Sequence, residues 1–261
     1  MSNADLTQLI HAVTGNHIVG FFLVLARVTP LFILAPLFSA KQIPNQVKGI
    51  IGTALAIGLT GVATQGQRLP TDAVGVIGAF VEQLLVGTAF AFALAAMFAA
   101  LEVGASFLDT VSGFSYGTLI NPLTGTSSAV LARVYTMVGT MLFIAIGGDA
   151  YVLRGIARTF TLVPLVSAPK LHSIVGGAVQ SVDTLFVAAV EVAGPVLLAL
   201  LVTDIAFGLV SRVVPQLNVF AVGLPVKIGV ALVLVGAMLP FLAGWLTIQL
   251  QGALGLALRE I

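Results

Sequence analysis

Six apolar runs, at roughly 17–39, 46–63, 73–101, 128–147, 174–210 and 224–250, occupy most of this 261-residue chain. A helix needs about 20 apolar residues to cross a hydrocarbon layer about 30 Å thick, and runs of this length leave few folds open. A lipid-exposed backbone must satisfy its own hydrogen bonds, which helices and closed barrels do. The runs are too continuously apolar for the alternation of a barrel strand. The sequence therefore predicts an all-α membrane protein of about six helical segments. With 8% charged residues and a mean hydropathy of +1.13, nothing predicts a separate soluble domain.

The scarce charge also removes whole classes of function. Eleven Lys/Arg against ten Asp/Glu leave a net charge of +1, with no basic footprint for nucleic acid. There is no cysteine, so disulfides and thiolate metal sites are ruled out. His11, His17 and His172 lack metal-ligand spacing, and no nucleotide-binding loop is present, so no cofactor is expected. The opening "MSNADLTQLIHAVTGNH" has no Lys or Arg, so the first run is expected to stay attached as an anchor rather than be cleaved. If the spans alternate, Lys41, Lys48, Arg212 and Lys227 face Arg68, Arg154, Arg158, Lys170 and Arg259 across the membrane. Four against five assigns no orientation.

Irregularities within the runs predict broken or overlong helices. Pro30 and Pro36 lie inside the first, where a straight helix is not expected, Gly194-Pro195 is expected to break or kink the fifth, and Pro240 lies inside the last. Residues 174–212 as one helix would extend about 58 Å, nearly twice the hydrocarbon core. The stretch 73–110 is as long but free of proline, and is expected to project beyond the membrane. Gly87, Ala91, Ala95 and Ala99 recur every four residues, a small-residue ridge suited to close helix packing.

Charges inside apolar helices usually face a protein interior or a water-filled path. Here they are Arg27, Glu82, Glu102, Asp109, Arg133, Asp183, Glu191 and Asp204. Glu102 and Asp109 fall on one helix face, and Asp204 and Arg212 are placed to pair through an intermediate group. Arg154 and Arg158, one turn apart, suit a solvated interfacial face. "GFSYG", residues 113–117, has the G-x-S-x-G spacing of a serine nucleophile, followed by Asp149 and His172. That motif needs a strand before the serine, whereas the flanks here read as helix, so an intramembrane serine protease is a weak alternative. A secondary transporter is another, but the two long arms, 73–110 and 174–212, do not align as internal repeats. In "SRVVPQLNVF", residues 211–220, Val214-Pro215 is expected to end the arm starting near 174. Gln216 and Asn218 would then bond the freed backbone. Arg212 would meet Asp204 or a neighbouring carboxylate, and Val213, Val214, Leu217, Val219 and Phe220 would keep the turn buried.

"PVLLALLVTDIAFGLVSRVVPQLNVFAVGLPVKIG", Pro195 to Gly229, resembles the C-terminal signature of the FliR family of flagellar biosynthetic proteins (FliR/SctT). "ARVTPLFILAPLFSAKQIPNQVKG" is similar to the family's arginine–proline stretch and turn, with Pro44 and Lys48. "EQLLVGTAFAFALAAMFAALEVGASFLDTVSGFSYGTLINPLTG" matches its central region at Glu82, Gly87, Gly104, Asp109 and Asn121-Pro122. "GGDAYVLRGIARTFTLVP" fits less well, with Asp149 where the family often has His.

The resemblance implies a subunit of the flagellar type III protein export gate in the bacterial inner membrane, with no enzymatic activity. The virulence-injectisome paralogue is the nearest alternative. The implied partners are FliP and FliQ homologues in a direct hetero-oligomer, FlhB and FlhA homologues, membrane lipid, and the exported flagellar proteins. It also implies a FliP-like portion over about 1–170, followed by a FliQ-like helical hairpin over about 171–261. A loop at about 104–125 would plug the pore. Phe107, Leu108, Phe114, Tyr116, Leu119 and Ile120 would supply its bulk, and Gly104, Gly113 and Gly117 its mobility. Arg27, Glu82, Glu102, Asp109, Asp204, Arg212, Gln216, Asn218 and Lys227 are expected to be intersubunit polar contacts.

Overall fold

The computed structural model describes residues 3–40, 43–115, 129–216 and 218–261, and these contain helices and no strand. In chain order the helices are α1 (Asn3–Leu34), α2 (Pro36–Ser39), α3 (Asn45–Ala63), α4 (Ala73–Ser112), α5 (Val130–Ala145), α6 (Gly148–Leu162), α7 (Leu171–Val213) and α8 (Val219–Arg259). Among them α1 over Asn16–Leu34, α3, α4, α7 and α8 are long and apolar enough to cross a membrane. The count reaches six if α5 and α6 form one interrupted span. The all-α membrane class is as predicted. The fourth run differs in detail: α5 has 16 residues, and the chain breaks at Gly147, whose φ is +70°.

The prolines act unevenly, for local reasons. Proline disfavours helical backbone in the residue before it, and Ala35, before Pro36, is extended (φ −73°, ψ 119°), so α1 stops at Leu34. Pro36 then takes the first helical position of α2, where no N–H is needed. Gly194-Pro195, expected to break or kink the helix, does not end it, and α7 runs on to Val213. One lost backbone bond is offset there by a continuous packed stripe, Ala188, Ala189, Val192, Ala193, Val196 and Leu200, all buried on both sides of the proline. α1 likewise continues through Pro30, and α8 through Pro225 and Pro240. α7 ends where Val214-Pro215 was expected to end it.

The contacts divide the chain into two compact units, to which α4, α7 and α8 each contribute a segment. Unit 1 comprises residues 1–95, 149–181 and 251–261; unit 2 comprises 96–148 and 182–250. The core of unit 1 gathers Leu23, Val24 and Leu31 of α1, Val86, Phe90 and Leu94 of α4, and Ile156 and Phe160 of α6. Gly87 lets α4 pass against α1: a Cβ there would lie 2.1 Å from the Arg27 carbonyl oxygen. Gly87 and Ala91 of the small-residue ridge are thus buried against protein, as expected, with Ala95 and Ala99 half-buried. In unit 2, Ala100, Ala188 and Ala189 form a cluster with Val103, Leu185 and Trp245, and Phe98 packs on Phe143 at 5.3 Å between ring centres.

Candidate functional site

Polar side chains in so apolar a protein are few enough to follow one by one, and in unit 1 they converge on Arg27. Its guanidinium is fully buried. Nε and Nη2 both donate to Gln83 Oε1 of α4, Nε at 2.7 Å. Nη2 also donates to the Val163 carbonyl at 2.8 Å, and Nη1 to Thr159 Oγ1 at 3.3 Å. The Phe160 ring lies 4.4 Å from the guanidinium carbon, and Gln83 Nε2 donates onward to the Leu165 carbonyl at 3.1 Å. No carboxylate among the described residues takes part. The charge is instead met by neutral acceptors, an aromatic face, and the negative end of α6, whose last turn supplies Thr159 and the following carbonyls. A buried charge costs several kcal/mol unless it is so surrounded, roughly, and the planar fork of arginine suits the number of acceptors. Arg27, expected at an intersubunit contact, has donors engaged within its own unit. Glu82 is half-buried beside Gln83. Reading the sequence for charge overlooked Gln83, although it lies one helical turn before Gly87 and on the same face.

In unit 2 the central residue is Asp109, on the last turn of α4 and 2% exposed. Oδ1 accepts the Leu131 N–H at 2.9 Å and Oδ2 the Ala132 N–H at 3.0 Å. These are among the first amides of α5, whose own flanking residue, Ala129, has no capping side chain. A carboxylate from another helix thus serves as the cap and complements the positive end of the dipole. The Asp109 carbonyl also accepts the Ser115 N–H at 3.2 Å. One residue therefore holds both the exit from α4 and the start of α5.

The expected plug loop begins later than about 104, because α4 continues to Ser112 and turns at Gly113 (φ +96°). Gly104 is no hinge: a Cβ there would lie 2.7 Å from the Ala189 carbonyl oxygen, so it permits close helix packing. Phe107 is exposed, Phe114 half-buried, and Leu108 fully buried, so the bulk of Leu108 goes to the core. Tyr116, Gly117, Leu119, Ile120 and Asn121-Pro122 lie outside the described residues. A helix, not a strand, leads into "GFSYG", so the strand that a serine-nucleophile turn requires does not precede it. Glu102, two turns before Asp109 on the same helix face, is exposed.

The hairpin of α7 and α8 carries the remaining predicted residues. Lys227 Nζ bonds Asp204 Oδ1 at 2.9 Å and Oδ2 at 3.0 Å, the one ion pair among the described residues. The expected pairing of Asp204 with Arg212 gives way to this one, because antiparallel helices bring position 227 opposite 204. Arg212 lies two turns nearer the tip and is exposed, as is Gln216. Asn218 does bond freed backbone: its Oδ1 accepts the Ala221 N–H at 3.1 Å, opening α8. The tip is not buried as expected. Val213 is 81% exposed, Val214 44% and Phe220 65%, since two helices alone offer nothing to cover their own end. Leu217 and the side chain of Val219 lie outside the described residues. Arg154 and Arg158 are exposed on α6 opposite the buried Val152, Ile156 and Phe160, as an interfacial face requires. No group of acidic, histidine or cysteine side chains among the described residues is placed to hold a metal.

Comparison with known proteins gives the family to which these polar groups belong. The sequence matches the family described as "Bacterial export proteins, family 1" over residues 18–253. It is 28% identical to the flagellar biosynthetic protein FliR of Escherichia coli (strain K12) over 228 residues, 85% of each chain. It is 31% identical to FliR of Bacillus subtilis (strain 168) over 219 residues, 82% of this chain and 84% of the relative. The "Surface presentation of antigens protein SpaR" of Shigella sonnei is 28% identical over 205 residues, 75% of this chain and 78% of that protein. The matched family is one of export proteins and not an enzyme family. With nearly its whole length matched, the chain belongs to the bacterial export proteins of family 1, which contains the FliR proteins.

Proposed function

We propose that the chain is a subunit of the flagellar type III protein export gate, a multi-pass protein of the bacterial inner membrane that helps form and close the channel for unfolded flagellar proteins. The observation that carries the proposal is the family match over residues 18–253, with FliR of two distant bacteria among the relatives. FliP and FliQ homologues are its direct partners in this reading, with FlhB and FlhA homologues beside them. Residues of about 1–170 form the FliP-like portion and about 171–261 the FliQ-like hairpin. The short turn joining two antiparallel helices of 43 and 41 residues supports the latter. Exposed apolar residues along that hairpin are what a subunit covered by neighbours presents. Glu82, Glu102, Arg212, Gln216 and Asn218 are the polar contacts left for those neighbours, together with the exposed Asp204–Lys227 pair.

The loop after α4 is the plug. Its base is held by Asp109, Phe107 and Phe114 flank it, and Tyr116, Leu119 and Ile120 follow. An apolar constriction excludes water and so blocks ions while leaving a path that a threading chain can open. Coexpression with FliP and FliQ homologues tests assembly: a stable complex is expected, and a lone monomer would overturn the reading. Deleting residues 110–120 is expected to make the assembled gate leak ions, and unchanged conductance would remove the plug assignment. The likeness to SpaR supports a second reading, the injectisome paralogue. Restored motility in a flagellated strain lacking its own FliR separates the two.

A further inference from the structure

Glu191, at the middle of α7, is an exposed carboxylate with no cation. Its Oε2 accepts the Gln249 Nε2–H at 3.0 Å and the Trp245 Nε1–H at 3.3 Å, both from α8, leaving Oε1 without a partner among the described residues. Pro195 has no N–H to give the Glu191 backbone carbonyl, four residues earlier, so a second acceptor at the same position loses its helical donor. The surroundings are apolar and exposed: Val187 and Leu198 on α7, Phe241 and Ile248 on α8. A carboxylate facing hydrocarbon is costly, and one held by two neutral donors is oriented rather than neutralised.

Two glycines mark where a neighbour would approach. A Cβ built at Gly194 or Gly244 meets nothing within 4 Å, so neither glycine is required by this chain's own packing. Glycine within a helix is less stable than alanine, and no turn or positive φ calls for it at these positions. A half-buried Gly194 and an exposed Gly244 beside a charge-poor apolar stripe suit the close passage of an outside helix.

We propose that this face of α7 and α8 receives a helix of another export-gate subunit, one that presents a lysine or arginine to Glu191 from an apolar segment. The inference rests on the export-gate reading and specifies the chemistry of one of its interfaces. Trp245 and Gln249 fix the carboxylate, Gly194 and Gly244 admit the backbone, and the cation completes the charge.

The chain has no cysteine, so Val187→Cys can be loaded with a photo-crosslinker as the single label on this chain before assembly with its co-subunits. It is expected to capture an apolar peptide of an identified co-subunit containing Lys or Arg; capture of lipid alone would overturn the proposal. Glu191→Lys is expected to lower recovery of the complex by about tenfold or more, and exchanging the captured basic residue for Glu should restore it. Gly244→Leu provides the test free of folding effects, because its side chain meets open space in this chain yet fills the groove. Full assembly of both Glu191→Lys and Gly244→Leu would refute the docking face while leaving the gate intact. Failure of the unmodified chain to assemble would instead refute the gate.

Discussion

Arg27 and Asp109 show how much depends on single polar side chains where polar groups are rare. Arg27→Lys keeps the charge, but a lysine offers no planar fork to reach Gln83, Thr159 and Val163 together. It is expected to lower the thermal midpoint of the detergent-solubilised chain, and Arg27→Ala should lower it further by stranding several buried acceptors, at roughly 1–3 kcal/mol each. A midpoint unchanged in Arg27→Ala would show that the hub holds nothing together. Asp109→Ala removes the cap on α5, a loss of about 1–2 kcal/mol, and Asp109→Asn should retain one of the two bonds and fall between. Equal midpoints for the two variants would contradict the capping role, which hydrogen exchange at the Leu131 and Ala132 amides reads directly. The sequence marked both residues as unusual, because an in-span charge needs a reason. It did not disclose their partners: Gln83 is 56 residues from Arg27 and Thr159 is 132, with no local pattern linking them.

At the level of helices, runs of apolar residues predicted the class of the elements and roughly the number of membrane-length spans, while breaks followed a less obvious rule. Pro195, Pro225 and Pro240 lie inside continuous helices, whereas the chain turns at Gly113 and Gly147, which have positive φ. A proline removes one backbone bond from a ladder that packing on both sides can hold. A left-handed residue redirects the chain, and only glycine enters that region without strain. Gly147→Ala is therefore expected to cost about 1 kcal/mol and lower the midpoint, although a Cβ there would meet open space. A midpoint equal to or above that of the unmodified chain would count against the backbone argument. The sequence held the glycines in view, but among 28 of them nothing local separates a turn from a close approach such as Gly87 or Gly104.

For the whole molecule, the exposed apolar surface of α7 and α8 and the bare tip between them ask for company. Val213→Cys is expected to react rapidly with a water-soluble maleimide in the isolated, detergent-solubilised chain and at least about tenfold more slowly in the complex with FliP and FliQ homologues, since burial in an interface excludes the reagent. Equal rates would place the tip outside any interface. By itself, the sequence determined the membrane class, the approximate helices and, through "SRVVPQLNVF" and "GLPVK", the family, because these depend on local apolar length and on motifs. Only the tertiary structure decided that Arg27 is met by Gln83 and the end of α6, that Asp109 caps α5, that Lys227 rather than Arg212 answers Asp204, and that the hairpin tip is uncovered. Those outcomes depend on which faces of distant helices come together, and a composition so uniformly apolar makes most faces look alike until they are packed.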